Sequence, residues 1–529
     1  MSTAALLCGL ILCCHGESPS AQKAATASIA ANQLTRRLES DVNTLNYVLQ
    51  TTDYERNVLA CLYDPLVDLD QDLRPIPGLA EKWEVSSDGR VYTFHLNPRA
   101  TFSDRTPVLA SDVIFTLRKI VDEPSQQFAS NFENLDRTET KAIDSRTVRI
   151  VFRTPSVSQI YAFNIGVLPE HVYQKGNFKT DFNDHVIGAG PYTLLRRETG
   201  RSLLLQRRDD YWRSRPPIER ILFKVIGDDA TAWKAMQRGE LDEMRVTADR
   251  WWETKDRADV TRNIVFASFY LLSYNCIAWN ARDSLFSDKR IRRALSMTFD
   301  RKGIIEQVYH GQARTMTGAF TPDQWANDPN IAPPPYDPEG ARKLLMEAGL
   351  RSAGEGIVDR KGRPFAFDVI VPAGSSTSDL QMQIFQAALK KIGITMNIRP
   401  MDSATMFDAV MKGNYQAAFL AWSVDPEPDL YSLFHSSQLP PRGLNIVDYR
   451  NPEVDRLIQQ GRHEFDTAKR ASVYHRLHAI LADDQPYTWT VQVSTKWALN
   501  KRVRNAAASR GFGFYLWYPG PLAWSLASD

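Results

Sequence analysis

Cysteine is scarce. The chain holds 5 in 529 residues, and three of them, Cys8, Cys13 and Cys14, fall within the first 14 positions. The other two, Cys61 and Cys276, are far apart, so nothing in the spacing demands a disulfide and two buried free thiols are expected. A surplus of charge of one sign is also missing. Lys and Arg total 64 against 62 Asp and Glu, a formal charge of +2. That removes the electrostatic ground for a nucleic-acid partner, because neutralising phosphates needs a basic excess or a basic stripe. Long apolar runs are lacking too. The strongest near the start, Ala4 to Cys14, is eleven residues long, whereas a bilayer-spanning helix needs about 20.

That short run matches the length of a secretory apolar region and is followed by the small, polar stretch His15 to Asn32, so residues 1–32 are expected to be an export signal and a flexible leader. Met1 to Ala5 carries no Lys or Arg, which makes such a signal atypical. Lipid attachment at Cys13 or Cys14 is left open. Cys14 follows Cys13 and has Ile11 three before it, and Cys13 has Leu10 there but the bulky Leu12 directly before it. A 43% apolar and 24% charged composition is ordinary for a folded globular chain. At roughly 100–200 residues per domain, the length predicts about three structural units.

Patterning predicts strand Gln33–Leu38, a helix from Asp53 to about Leu66, and a hairpin of Trp83–Val85 and Arg90–Leu96 around Ser87-Asp88-Gly89. Alternation at Val148, Ile150 and Phe152 predicts a half-buried strand. Helices are expected over 231–241, over 291–309 with a break near Asp300, over 341–349 after Pro338, and over 380–393. Strands Thr395–Arg399 and Ala417–Trp422 alternate with these helices, which makes the C-terminal half α/β. Residues 455–482 read as mostly helical and Tyr487–Val493 as one late strand.

Catalytic templates are absent as well. Gly188-Ala189-Gly190 has Thr193 where a dinucleotide loop needs its third Gly. There is no phosphate-loop Gly-Lys-Ser/Thr and no Gly-x-Ser-x-Gly. His463-Glu464 lacks a second His, since Thr467 stands there, and the body cysteines form no CxxC pair, so zinc signatures are missing. His475 and His478, one helical turn apart, read as surface or interface decoration rather than metal ligands. No catalytic residue, metal or cofactor is expected. The 55 aromatic residues, 12 Trp, 19 Tyr and 24 Phe, must mostly serve core packing, with a minority left to line a cleft.

From about Leu34 onward, an ordered series of motifs stands out: Pro77-Gly78-Leu79-Ala80-Glu81-Lys82-Trp83, Tyr92 to Leu96, Phe102-Ser103-Asp104, Ala110 to Val113, Gly188 to Tyr192, Asp210-Tyr211-Trp212, Gly239 to Asp242, Tyr274-Asn275, Arg292-Arg293-Ala294, Asp300-Arg301, and Leu344 to Gly349. In this order the chain resembles the peptide-type, family 5, extracellular solute-binding proteins of ABC transporters, and no motif alone would be specific. One departure is Arg105, where the family usually has Gly, so that loop is expected to differ in shape. The glycines of Gly188 to Gly190 are expected to permit a tight turn before a strand at Tyr192.

The resemblance implies an α/β, two-lobed periplasmic-binding-protein-like fold with a ligand enclosed between hinged lobes. Lobe I is expected over 33–273 and 493–529, with an inserted subdomain at approximately 55–167, and lobe II over 274–492. The hinge is expected at Tyr274 and Asn275, with the return near Gln492 to Lys496. In the segment Trp422-Ser423-Val424-Asp425, the resemblance assigns Asp425 to a peptide's α-ammonium group, with capping of the turn before Pro426 as the alternative, and Trp422 either stacks on the ligand or packs in the core. From the opposite lobe, Ser40, Asp41, Val42 and Asn43 would lie along the peptide backbone. Dipeptide-specific relatives use an Arg before the helix that follows the lobe's central strand. Ala373 to Ser378 has none, which favours a longer peptide or another ligand. The implied protein is a monomeric, periplasmic or cell-surface receptor that delivers peptides to ABC permease subunits. The same fold also hosts nickel chelates, haem, opines and oligosaccharides, and an exported peptide hydrolase is the distant alternative.

Overall fold

The computed structural model describes residues 32–123, 128–182, 185–359, 361–511, 516–518, 520 and 523–527. The apolar run at 4–14, with Cys13 and Cys14, lies outside them, so the expected signal and lipid-attachment readings have no structural counterpart here. Two sheets organise the chain. The first runs Ile264–Tyr270, Val491–Asn500, Glu243–Arg245, Gln33–Leu38, Arg220–Val225, Ser202–Arg207 and Tyr192–Glu198, with Ala313–Thr315 added beside the second of these. The second runs Thr395–Met401, Ala366–Pro372, Ala417–Ser423, Ser273–Trp279 and Tyr487–Trp489.

The inner strands of the second sheet are buried on both faces, and their sequence shows why. Along Ser273–Trp279, Ile277 and Trp279 enter one apolar cluster while Tyr274, Cys276 and Ala278 enter another. Ala417 and Phe419 repeat the split against Ala418, as the two-residue strand period requires. Cys61 and Cys276 are free and buried. A separate four-stranded sheet, Ala80–Val85, Val91–Leu96, Thr147–Val151 and Lys141–Ala142, lies within residues 80–151. Its side chains, such as Phe94 and Val148, share one continuous apolar core with Leu34 and Ile221 of the first sheet.

The chain crosses between the large sheets twice. It leaves the first after Tyr270 and enters the second at Ser273, so Leu271 and Leu272 make the outward crossing. Tyr274 and Asn275 stand just beyond it, inside the strand: Tyr274 pairs with Trp422, and Asn275 O accepts from Thr490 N at 3.0 Å. The run expected as one strand, Tyr487–Val493, divides at Thr490. Tyr487–Trp489 belongs to the second sheet and Val491–Asn500 to the first.

Two loops differ from their sequence readings. Arg105 keeps a left-handed backbone, φ 71°, so that turn retains the conformation a glycine would take freely. Gly188 and Gly190 are required for close approach rather than for a turn. A Cβ would stand 2.1 Å from Leu62 O at the former and 2.4 Å from Leu62 C at the latter. The backbone of this motif is pressed against the end of helix Asp53–Leu62, and Gly190 N donates to Leu62 O at 2.9 Å.

Candidate functional site

Helix Asp53–Leu62 begins with a capping box: Glu55 N donates to Thr52 Oγ1 at 3.2 Å, and Glu55 Oε2 accepts from Thr52 N at 3.0 Å. The fully buried Glu55 also accepts from Asn43 N at 3.0 Å and Thr51 N at 2.7 Å. One carboxylate thus ties residues 43–52 to the helix. Across the gap, strand Ala417–Ser423 ends beside the outward crossing, where Val424 N donates to Leu272 O at 2.8 Å. The chain then enters Asp425-Pro426-Glu427-Pro428, whose prolines supply no backbone donors.

Between these elements lies a cleft of connected chambers. One, of about 450 Å³, is lined by Tyr47, Asp53, Asp64 and Tyr161 on one side and by Ser423 and Asp425 on the other. A second, of about 370 Å³, shares Tyr161, Ser423 and Asp425 and adds Trp422 and Arg462. A third, of about 790 Å³, shares Asp53 and Ser423 with the first and is lined by Trp422, Thr247, Thr377 and Lys496. Ser423 borders all three.

Asp425 is fixed through its main chain, its carbonyl accepting from Gln324 Nε2 at 2.9 Å. Its carboxylate has no ion-pair partner among the described residues. The side chain opens to the cleft, yet enclosure by surrounding protein, with the Asp429 charge second, pushes its carboxyl up to about 6. Cleft solvent screens part of that rise. The neighbouring acids are satisfied otherwise. Glu427 pairs with Arg470 at 3.1 Å and Asp429 with Arg462 at 3.0 Å. On the facing wall, Asp64 accepts from Tyr211 Oη at 3.0 Å and Trp212 Nε1 at 2.7 Å, and burial raises it to about 6. The Asp-Tyr-Trp motif at 210–212 therefore braces a wall of the cleft.

Of the residues singled out from sequence, the structure brings together Trp422, Ser423, Val424 and Asp425 at the cleft. Ser40, Asp41, Val42 and Asn43 line none of the three chambers. Asp41 accepts from Gly200 N at 2.6 Å, Val42 is in the core with its carbonyl accepting from Arg197 Nη2 at 2.7 Å, and Asn43 N is held by Glu55. The facing wall is built instead from Tyr47, Asp53 and Asp64, which sequence reasoning did not single out. Asp64 carried one signal, an acid directly before Pro65 at the end of an apolar helix.

His478 is buried, with Nδ1 accepting from Asp328 N at 3.0 Å, so Nε2 carries the proton toward Thr317 Oγ1, also at 3.0 Å. Burial draws it down to about 4, a neutral packing histidine. No cluster of metal-ligating side chains occurs among the described residues, and none of the described helices is long and apolar enough to cross a membrane.

Comparison with known proteins gives a consistent assignment. The model of bacterial extracellular solute-binding proteins, family 5, matches residues 74–440. The oligopeptide-binding protein AppA of Bacillus subtilis is 28% identical over 457 residues, 84% of this chain and 83% of that protein. Its structure in complex with a nonapeptide superposes with a TM-score of 0.80 at 24% identity, covering 94% of this chain and 99% of that one. Heme-binding protein A of Haemophilus influenzae is 25% identical over 488 residues, 86% of each chain. NikZ from Campylobacter jejuni, in complex with Ni(L-His), has a TM-score of 0.80 at 22% identity, covering 92% of this chain and 99% of that one. The fold is the mixed α/β periplasmic-binding-protein fold.

Proposed function

The chain belongs to the bacterial extracellular solute-binding proteins of family 5, which bind solutes rather than transform them, and from that premise we propose that it captures peptides between its lobes and hands them to the permease subunits of an ABC importer. The observation that carries this reading is Asp425. A carboxylate opening into a cleft with no ion-pair partner among the described residues, while its neighbours Glu427 and Asp429 pair with Arg470 and Arg462, suits an ammonium group. A charged group shielded from water is stabilised strongly only by a charged, hydrogen-bonding partner, and every unmodified peptide offers one at its N-terminus. Trp422, bordering two of the chambers, offers an aromatic face to the ligand. The connected chambers accommodate an extended chain rather than a compact ion.

Contacts to both lobes favour the closed arrangement, so ligand binding and closure are one equilibrium. Leu271–Leu272 and Thr490 are the two points where a bend leaves both sheets intact, and we assign the hinge to them, beside Tyr274 and Asn275. Relatives named for haem or a nickel complex give the competing ligand classes. Thermal melting with a tri- to hexapeptide pool, haemin and nickel with L-histidine separates the three, because a ligand that binds only the folded form raises Tm. The peptide pool is expected to raise Tm. Stabilisation by haemin or nickel–histidine alone contradicts the reading.

A further inference from the structure

The consecutive helices Pro452–His463 and Thr467–Asp484 pack against the second sheet, where Ile458 and Val473 join Tyr274 and Cys276 in one apolar cluster. The same helices hold the cleft segment. Arg462 pairs with Asp429, Arg470 pairs with Glu427, and Tyr474 Oη donates to Pro428 O at 2.7 Å. The turn between them, Glu464-Phe465-Asp466, is pinned from both sides: Asp466 N donates to Glu464 Oε1 at 2.9 Å, and Glu464 O accepts from Arg470 Nη1 at 3.0 Å. Arg470 therefore ties this turn to the segment that carries Asp425.

Phe465 stands at the tip of that turn, 50% exposed, and its ring reaches the other lobe. There it meets the hairpin turn between Ala80–Val85 and Val91–Leu96, in the sheet whose Phe94 belongs to the core of the first sheet. In that turn Ser87, Asp88 and Arg90 are exposed, while Gly89, with a left-handed φ of 69°, is buried. Phe465 and Pro155 cover it. A Cβ on Gly89 would stand 2.5 Å from Phe465 Cζ, 3.1 Å from Phe465 Cε2 and 3.2 Å from Pro155 Cβ. Any side chain here would push the ring out of its seat.

None of Gly89, Pro155 and Phe465 lines a chamber of the cleft. An apolar contact that joins the two lobes without touching the ligand's space can bias closure but cannot read the ligand. A further cross-lobe contact, Arg442 with Glu133 at 3.9 Å, is an exposed ion pair and contributes little.

We propose that Phe465 is a clasp: its ring seats on Gly89 and Pro155 only when the lobes are closed, and the seat stabilises the closed state by the same amount whatever ligand is enclosed. Affinity is then set in two separable places. The cleft decides which ligand binds, and the clasp decides how long it is held, because a contact present only in the closed form slows opening. Gly89 serves both needs of the seat, since it takes the left-handed turn freely and leaves room for the ring. The clasp is a feature beyond the peptide reading and serves any enclosed ligand.

The tri- to hexapeptide pool, haemin and nickel with L-histidine are first screened by melting, and whichever stabilises the intact protein is titrated into wild type, Phe465→Ala, Gly89→Asn and the double variant. Asn tolerates a left-handed backbone, so Gly89→Asn blocks the seat and keeps the turn. Each single variant is expected to weaken binding about threefold to tenfold, the range for partial burial of one Phe side chain. The loss should lie in the dissociation rate, with the preference among peptides unchanged. The double variant is expected to bind as Phe465→Ala does, because the added side chain then meets no ring. Wild-type affinity in Phe465→Ala overturns the proposal. So does a further loss in the double variant, or a loss whose size differs from one bound peptide to another. Stabilisation by haemin or nickel–histidine alone removes the peptide reading, and the same four titrations with that ligand still decide the clasp. Phe465 lies on a surface turn, so Phe465→Ala is decisive even where Gly89→Asn fails to fold.

Discussion

Gln324 Nε2 donates to the backbone carbonyl of Asp425 at 2.9 Å, while Gln324 Oε1 accepts from Thr321 N at the same distance. One buried amide thus holds the main chain at Asp425 and leaves the Asp425 side chain free. Removing it should misplace the carboxylate without touching the ligand. Gln324→Ala is expected to weaken peptide binding about five- to tenfold, the worth of one neutral hydrogen bond, with the free-over-acetylated preference reduced. Titration calorimetry on both peptide forms measures it.

An Asp425 carboxylate without an ion-pair partner should cost the ligand-free protein stability at neutral pH. Asp425 is raised from 3.8 to about 6, so the folded state keeps its proton at pH values where the unfolded chain has lost it. Stability from this group is therefore full below pH 4, falls as pH rises from about 4 to 6, and is absent above. Asp425→Asn is expected to melt at a higher temperature than the wild type at pH 7.5 without ligand, with the difference gone by pH 4. Melting curves across this range, on protein stripped of ligand by unfolding and refolding, provide the check.

Arg105 supplies a test of the fold apart from the ligand. A non-glycine residue in the left-handed region costs roughly 1–2 kcal/mol, and its ion pair with Asp210, 3.4 Å and largely exposed, returns little. Against this, glycine adds freedom to the unfolded chain worth roughly 0.5–1 kcal/mol. Arg105→Gly is expected to stabilise the protein by about 0.5–1 kcal/mol, read from denaturant unfolding, with ligand affinity unchanged.

Much of the fold was legible in the sequence because it is written locally. Ala417–Ser423 shows its strand through apolar character, and the helix Pro338–Glu347 shows its start through Asp337 and Pro338. What local pattern does not contain is sheet membership. Tyr487–Val493 reads as one strand, and only tertiary pairing divides it at Thr490 between two sheets. The cleft segment at 422–425 was legible because an indole and an acid flank a strand end. The opposite wall was not, because Tyr47, Asp53 and Asp64 are brought there by the packing of one helix against the Gly188 to Tyr192 motif.

The central claim is that Asp425 receives a peptide's free amino terminus. Titration calorimetry of the ligand-stripped protein with one captured peptide, as the free amine and as its N-acetyl derivative, tests it most directly. The account predicts that acetylation weakens binding at least tenfold in the wild type, in line with a charge-assisted hydrogen bond, and makes no difference in Asp425→Asn. Equal affinity of the two forms for the wild type would contradict it.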